Sequence, residues 1–131
     1  MKRHRFSAED QMEEALLLLK RVGESLEHPM VVITYDNTIP YANPHFLAFT
    51  KDKGPGFLIR SADQVSDLLP DETVLARVWQ TGEPCTTAVK LPLASGVKSM
   101  ECDCIPYKDL HGHISMITLI YRSMESAHTP R

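Results

Sequence analysis

The chain has 131 residues, of which 14 are Lys or Arg and 17 are Asp or Glu, so its formal net charge is -3. This length suits one domain that buries a modest core without disulfide support. The net charge is negative, and basic residues cluster only within residues 2–5. These features argue against nucleic acid as a direct partner.

The N-terminal region is too polar to span a membrane. Its longest apolar run, residues 15–19, has charged residues on both sides and falls far short of the roughly 20 residues that a bilayer span needs. The three cysteines are too few for a secreted disulfide framework. We therefore expect a cytoplasmic protein with reduced thiols and no membrane partner.

The first predicted element is an amphipathic helix within residues 1–28. Ser7 can cap its start, and apolar side chains then recur at three- and four-residue spacing. These side chains are Met12, Ala15, Leu19, Val22 and Leu26. Two interpretations stay open: the stripe packs on its own domain, or it is the dimer interface that pairs with a second copy of the chain. It is too short for an independent coiled coil.

Residues 31–43 predict a strand, a tight turn, a second strand and a helix cap in succession. Val, Ile, Thr and Tyr favour a pleated surface, and Asp36-Asn37 tolerates the left-handed conformations of a short hairpin. Asn43 then offers a side-chain acceptor to the first amides of a helix over residues 44–50, which begins with a proline. The chain therefore passes from sheet to helix at Asn43.

A polar loop and two helices are predicted next. Residues 51–56 contain two glycines around a proline, which makes this loop the best candidate for a mobile gate. Ser61 can cap a short helix that Pro70 closes. Asp71 can cap a longer helix that ends at Gly82.

The last forty residues predict three strands, over residues 84–91, 97–107 and 113–122. Short loops with glycine separate them, so an antiparallel meander is expected. The element order predicts an α+β fold: a five-stranded antiparallel sheet with helices across one face, preceded by the N-terminal amphipathic helix. Pro40 would then lie on one outer strand and Pro84 and Pro92 on the other, where a missing N–H donor is tolerated, while Pro106 indicates a bulge.

Three short motifs resemble a PAS domain, the sensory module common in bacterial signalling proteins. Ile39-x-Tyr41-x-Asn43 after a strand and an Asp turn is similar to the start of that domain. Gln-Thr-Gly-Glu-Pro at residues 80–84 is similar to the end of its long connecting helix, and Pro-Tyr-x-Asp-x-x-Gly at residues 106–112 to its last hairpin. The resemblance covers about residues 26–121 and implies the same sheet-and-helix architecture.

The resemblance divides the chain into a flanking or dimerisation helix over residues 1–28, a PAS domain over 29–122 and a tail or linker over 123–131. It implies a cytoplasmic sensor of a bacterial signal-transduction or transcription-regulatory protein. The implied partners are a second copy of the chain, a small-molecule ligand and an effector domain, either fused or separate. Haem-binding relatives use a histidine on the long helix, and photochemical relatives bind flavin covalently through an Asn-Cys motif. This sequence has neither feature, so haem and covalently bound flavin are disfavoured, while a flavin held without a covalent bond stays open and the cofactor is unknown.

A helical layer over one face of the sheet can enclose a ligand pocket. Strand alternation and helical spacing select twelve side chains as its walls: Thr34, Phe46, Leu58, Val65, Leu69, Val78, Trp79, Met100, Cys102, Cys104, Met116 and Thr118. Their sulfur atoms would give a polarizable lining that suits a small apolar or aromatic ligand. Ordinary core packing is the competing interpretation for each of them.

No catalytic motif occurs in the expected context, and Cys102-x-Cys104 lacks a second cysteine pair nearby, so we expect neither catalysis nor a metal. Two alternatives to a ligand sensor remain. One is a ligand-free protein-interaction module that docks through the outer sheet face; it would be favoured by exposed apolar residues among Ile105, Tyr107, Ile117, Leu119 and Tyr121. The other is a small cone-shaped α+β enzyme.

Overall fold

One antiparallel sheet of five strands forms the centre of the molecule, a computed structural model that describes residues 8–124. The strands are β1 (Met30–Thr34), β2 (Tyr41–Ala42), β3 (Cys85–Leu93), β4 (Gly96–Lys108) and β5 (Ile114–Ser123). Their spatial order is β2-β1-β5-β4-β3, and every neighbouring pair is antiparallel. The predicted α+β fold is therefore confirmed. The proposed cap Ser7 and residues 125–131 of the predicted tail lie outside the described residues.

Proline residues mark the two edges of this sheet. Pro40 directly precedes β2, Pro84 directly precedes β3 and Pro92 lies within β3, and both of these strands are at an edge. An edge strand tolerates the missing N–H donor of proline. The pairing of β4 with β5 shifts register between Tyr107 and Lys108, one residue beyond Pro106.

The helical segments lie on both faces of the sheet. They are α1 (Ala8–Ser25), α2 (Pro44–Leu47), two 3-10 helices (Ala48–Lys53 and Ala62–Leu68) and α3 (Glu72–Thr81). The Asn43 side chain accepts a hydrogen bond from the Phe46 N–H at 3.0 Å and begins α2. Gly82 ends α3 in the left-handed conformation, with φ 70°. Among the described residues, no helix is both long and apolar enough to cross a bilayer.

Two apolar clusters follow from this arrangement. We call the first the inner core; it lies between the sheet and the segments from α2 to α3, and includes Val31, Ile33, Phe46, Leu68, Leu119 and Tyr121. The second lies on the opposite face, where Met30, Val32 and Met116 pack against α1. Both sheet faces are therefore covered, which explains why β1 and β5 are apolar at almost every position.

Most of the apolar stripe on α1 packs against its own sheet. Met12, Ala15, Leu19 and Leu26 contact the second cluster, as does Leu16. Val22, the remaining member of the predicted stripe, is 49% exposed. The intramolecular interpretation therefore accounts for four of the five stripe residues.

Candidate functional site

Eight of the twelve side chains predicted to line a pocket pack together in or against the inner core: Phe46, Val65, Leu69, Val78, Trp79, Met100, Cys102 and Cys104. Aromatic rings fill the space beside them. The Tyr121 ring centroid lies 5.7 Å from that of Phe46 and 6.0 Å from that of Phe49. The Tyr121 hydroxyl donates to the Leu68 carbonyl oxygen at 2.7 Å, which satisfies the buried phenol. Side chains of the protein thus occupy this part of the expected pocket.

The placement of Thr34, Met116 and Thr118 in that pocket is wrong, because these side chains lie on the face that α1 covers. Met116 belongs to the second apolar cluster, and Thr34 is paired directly with it across the β1–β5 ladder. Thr118 is paired with Val32, a member of the same cluster. Directly paired residues share a sheet face, so all three face α1.

Three other residues of β5 lie on the inner-core face, although the sequence analysis considered them for the outer face. Ile117, Leu119 and Tyr121 are fully buried in the inner core. Leu119 is paired with Cys104 and Tyr121 with Cys102, which fixes their side chains beside the cysteines. These residues therefore do not form the docking surface considered for the outer face. Ile105 is 43% exposed, but Tyr107 packs near α1.

Leu58 lies away from the inner core and is 63% exposed. It lines a shallow groove of about 260 Å³, together with Ile39, Pro40, Leu47 and Ile59 among others. This groove lies beside the edge strand β2. Leu58 therefore lines a different groove from the other predicted pocket residues.

A larger open cleft, of about 850 Å³, lies where two hairpin turns and the end of α3 meet α1. Its walls come from the β1–β2 turn, the C-terminal end of α3, the β4–β5 turn and Met12 of α1. Thr34 and Trp79 are the predicted pocket residues that line it. We call this feature the terminal cleft; it is separate from the pocket that the sequence predicts.

Trp79 supplies a large aromatic surface to the terminal cleft. It is the single tryptophan of the chain, half-buried at the border of the inner core. The neighbouring Gly82 has no side chain, and a Cβ there would lie 2.9 Å from the Lys108 side chain. Gly82 thereby lets Lys108 cross the end of α3 and reach the cleft.

Ser115 supplies an unused hydrogen-bonding group. Its hydroxyl oxygen is buried and has no hydrogen-bond partner within the part of the chain that the structure describes, and Ser115 lines the terminal cleft. A buried polar group without a partner costs about 1–3 kcal/mol. If the Ser115 side chain rotates towards the cleft, a molecule there that offers a donor or an acceptor to this hydroxyl would recover part of that cost.

Two carboxylates give the cleft negative charge. The hydroxyls of Thr34 and then Thr38 donate to the Asp36 carboxylate and hold its pKa below the ordinary value. The backbone N–H groups of His113 and His111 donate to Asp109 at 2.9 and 2.8 Å and lower its pKa in the same way. Both groups are therefore ionised at neutral pH.

The charges of Asp36 and Lys108 remain available to a ligand. Neither side chain has an ion-pair partner within residues 10–124. The cleft therefore combines the aromatic surface of Trp79, an unpaired hydroxyl and charges of both signs. Within those same residues, no group of three His, Cys, Asp or Glu side chains is arranged to hold a metal ion.

Comparison with known proteins identifies the fold. No protein-family model matches the sequence, and no curated protein matches it. The PAS domain of BvgS from Bordetella pertussis matches with a TM-score of 0.60 at 17% identity, covering 89% of this chain and 88% of that one. The N-terminal domain of a diguanylate cyclase with a PAS/PAC sensor from Marinobacter aquaeolei matches with a TM-score of 0.61 at 11% identity, covering 79% and 100%.

A third solved structure, the phage VqmA-DPO complex, matches with a TM-score of 0.67 at 14% identity. The match covers 88% of this chain and 55% of the VqmA chain. The chain therefore has the PAS fold, and the resemblance in its sequence motifs is confirmed at the level of the fold.

Proposed function

We propose that this chain is the sensory module of a signalling protein and that it binds a small ligand with an aromatic or apolar body in the terminal cleft. The observation that carries this proposal is the buried, unpartnered Ser115 hydroxyl in the same cleft as the Trp79 ring. The module works in the bacterial cytoplasm without catalysis of its own. It passes its signal to a fused or separate effector domain, such as a transcription regulator.

The chemistry of the cleft limits the ligand. The Trp79 ring offers a face for stacking, which favours an aromatic or flat apolar group. The Ser115 hydroxyl selects a ligand with one hydrogen-bonding group near that ring. Asp36 and Lys108 can then orient a polar substituent at the mouth of the cleft.

The position of the cleft suggests how a bound ligand would be sensed. Its walls belong to the turns next to the sheet and to Met12 of α1, so a ligand contacts α1 and the sheet together. A ligand shifts an equilibrium only if it binds two arrangements with different affinity. We infer that the two arrangements differ in how the start of α1 packs on the sheet.

Two aromatic probes of similar size test the ligand site. Phenol carries a ring and a hydroxyl, whereas toluene carries a ring alone. Titration followed by protein NMR should give phenol about fivefold tighter binding than toluene, the value of one net hydrogen bond of about 1 kcal/mol.

Ser115→Ala should abolish that difference, while Ser95→Ala, in the exposed β3–β4 turn, should keep it. Equal binding of both probes to the natural protein would contradict the proposal. So would an unchanged preference for phenol in Ser115→Ala.

We also propose that the module forms a homodimer through the outward face of α1. Leu17 and Leu18 are 62% and 58% exposed, and Val22 lies one turn further on the same side as Leu18. Glu14 and Arg21 are equally distant from the midpoint between the two leucines. Two helices packed antiparallel about that midpoint would bring Glu14 of one copy near Arg21 of the other, which favours self-association.

A further inference from the structure

All three cysteines of the chain lie together at one end of the β3–β4 ladder. Cys85, the first residue of β3, is paired directly with Cys104 of β4. Cα atoms of residues directly opposite in an antiparallel pair are about 4.5–5.5 Å apart, within the range that a disulfide bridges. Cys102 precedes Cys104 by two residues on the same strand, so the side chains of those two point the same way and do not face each other.

The three thiols differ in their access to solvent. Cys85 is partly exposed on the edge strand, whereas Cys102 and Cys104 are fully buried in the inner core. A small oxidant therefore reaches Cys85 first, and Cys104 lies directly behind it. Cys102 is paired with Thr87 and Tyr121, so no cysteine faces it across either neighbouring strand.

The neighbouring thiols influence the ionisation of the buried partner. The Cys102 thiol and then the Cys85 thiol lower the pKa of Cys104, although burial opposes the change. Burial, and then the nearby charge of Cys104, raise the pKa of Cys85. Of the pair, Cys104 therefore gives up its proton more readily, which suits it to attack an oxidised Cys85 sulfur.

We propose that Cys85 and Cys104 form a modification site, a thiol pair that a hydroperoxide converts to an intramolecular disulfide. The Cys85 sulfur attacks the peroxide O–O bond and takes its hydroxyl group, giving the Cys85 sulfenic acid, while the Cys85 proton passes to the departing oxygen. The peroxide leaves as an alcohol, or as water when the oxidant is hydrogen peroxide.

The Cys104 sulfur then attacks the sulfenic sulfur of Cys85, and the displaced hydroxyl leaves with the Cys104 proton as water. Two thiols lose two electrons and two protons in total, and one hydroperoxide is reduced. The new S–S bond ties the first residue of β3 to the interior strand β4. Three residues separate Cys85 from the end of α3, so oxidation also restrains the exit of the helix that carries Trp79.

Peptide mapping after oxidation tests this site. The folded protein is treated with hydrogen peroxide, its remaining thiols are alkylated in denaturant, and it is digested with trypsin. Cleavage after Lys and Arg gives Cys85 on the peptide 78–90, and Cys102 and Cys104 on the peptide 99–108. We expect these two peptides to be joined with the loss of two hydrogen atoms, and fragmentation to assign the bond to Cys104.

Serine variants supply the controls. Cys102→Ser, which removes an equally buried thiol, should still form the linked peptides, whereas Cys104→Ser and Cys85→Ser should not. A bond from Cys85 to Cys102 in the natural protein would overturn the proposal. Oxidation of Cys85 to sulfinic acid without any linked peptide would also overturn it, and both results are read from the natural chain even if a variant fails to fold.

Discussion

The hydroxyl of Tyr41 donates a hydrogen bond to the Glu24 carboxylate at 2.6 Å and ties the edge strand β2 to the last turn of α1. Gly23 makes this contact possible, because a Cβ at that position would lie 2.5 Å from the Tyr41 ring. Burial, and then the hydrogen bond to Glu24, raise the pKa of Tyr41 to about 12. The ionisation of Tyr41 therefore reports on the packing of α1 against the sheet.

The first prediction concerns alkaline pH. The pKa of Tyr41 is higher in the folded protein than the value of about 10 in an unfolded chain, so the folded state holds the phenolic proton more tightly. Its contribution to stability is complete below pH about 10 and is lost as the pH rises towards about 12. Urea denaturation at a series of pH values should show this decline.

Tyr41→Phe is the matched control for that measurement. It should reduce the decline in the free energy of unfolding between pH about 10 and about 12, since the variant has no phenol to ionise at this position. Tyr121, whose pKa burial also raises, is present in both proteins and cancels from their difference. Identical pH profiles for the two proteins would contradict the prediction.

The second prediction concerns Asn43, whose side chain joins three parts of the fold. Its oxygen accepts from the N–H groups of Met30 and Phe46, both at 3.0 Å, and its nitrogen donates to the carbonyls of Gly23 and His28 at 3.1 and 2.8 Å. Asn43→Ala should lower the free energy of unfolding by roughly 2–5 kcal/mol, because these backbone groups lose their partner.

Asn43→Asp separates the two halves of that network. It keeps the oxygen that caps α2 but places a buried carboxylate oxygen against the Gly23 and His28 carbonyls, so at neutral pH its loss in urea denaturation should exceed that of Asn43→Ala. A loss below about 1 kcal/mol for Asn43→Ala would mean that water replaces the side chain at little cost.

The third prediction follows from the unpartnered hydroxyl in the cleft. In the absence of ligand, Ser115→Ala should raise the free energy of unfolding by about 1 kcal/mol, because it removes a buried polar group that has no partner. The midpoint of thermal unfolding should rise by a few degrees, about 2–5 °C. A fall in that midpoint would indicate that the hydroxyl already has a stabilising partner.

The fourth prediction separates the two faces of α1. Leu18→Glu changes the exposed face and should convert a dimer to a folded monomer, as measured by light scattering and circular dichroism. Leu19→Glu is the matched change on the face that packs against the sheet, and it should instead unfold the protein because it buries an unpaired charge. A Leu18→Glu variant that remains dimeric would exclude this helix face as the interface.

Local chemistry determines the parts of the fold that the sequence predicts well. Asn37 takes a positive φ of 76° in the turn after β1, as its place in an Asp-Asn pair indicates. Asn43 caps a helix, and Gly82 ends one, at the expected residues. Each of these features depends on a residue and its immediate neighbours, so no knowledge of the tertiary structure is needed.

The faces of β5 could not be predicted in the same way. Because α1 covers one sheet face and the inner core covers the other, β5 lacks the alternation of polar and apolar residues that distinguishes them. The register shift between Tyr107 and Lys108 adds a second obstacle, since one extra residue reverses which side chains of β5 face those of β4. Both effects arise from contacts distant in sequence.

The terminal cleft could not be predicted from the sequence for a related reason. Helical spacing selects Trp79 as an inward residue, but Ser115 and Lys108 lie next to a hairpin turn and carry no pattern that points to a site. They become neighbours of Trp79 only because the β4–β5 turn folds beside the end of α3. The hydrophobic pattern also cannot distinguish a ligand-filled core from one filled by the rings of Phe46 and Tyr121.

The most direct test of the account is the location of phenol on the protein, determined from the chemical shifts of assigned backbone and indole N–H groups during titration. We predict that the largest changes occur at Trp79, Thr81 and Ser115, around the terminal cleft. Changes concentrated instead at Phe46, Met100 and Cys102 would locate the ligand in the inner core and contradict the proposed site.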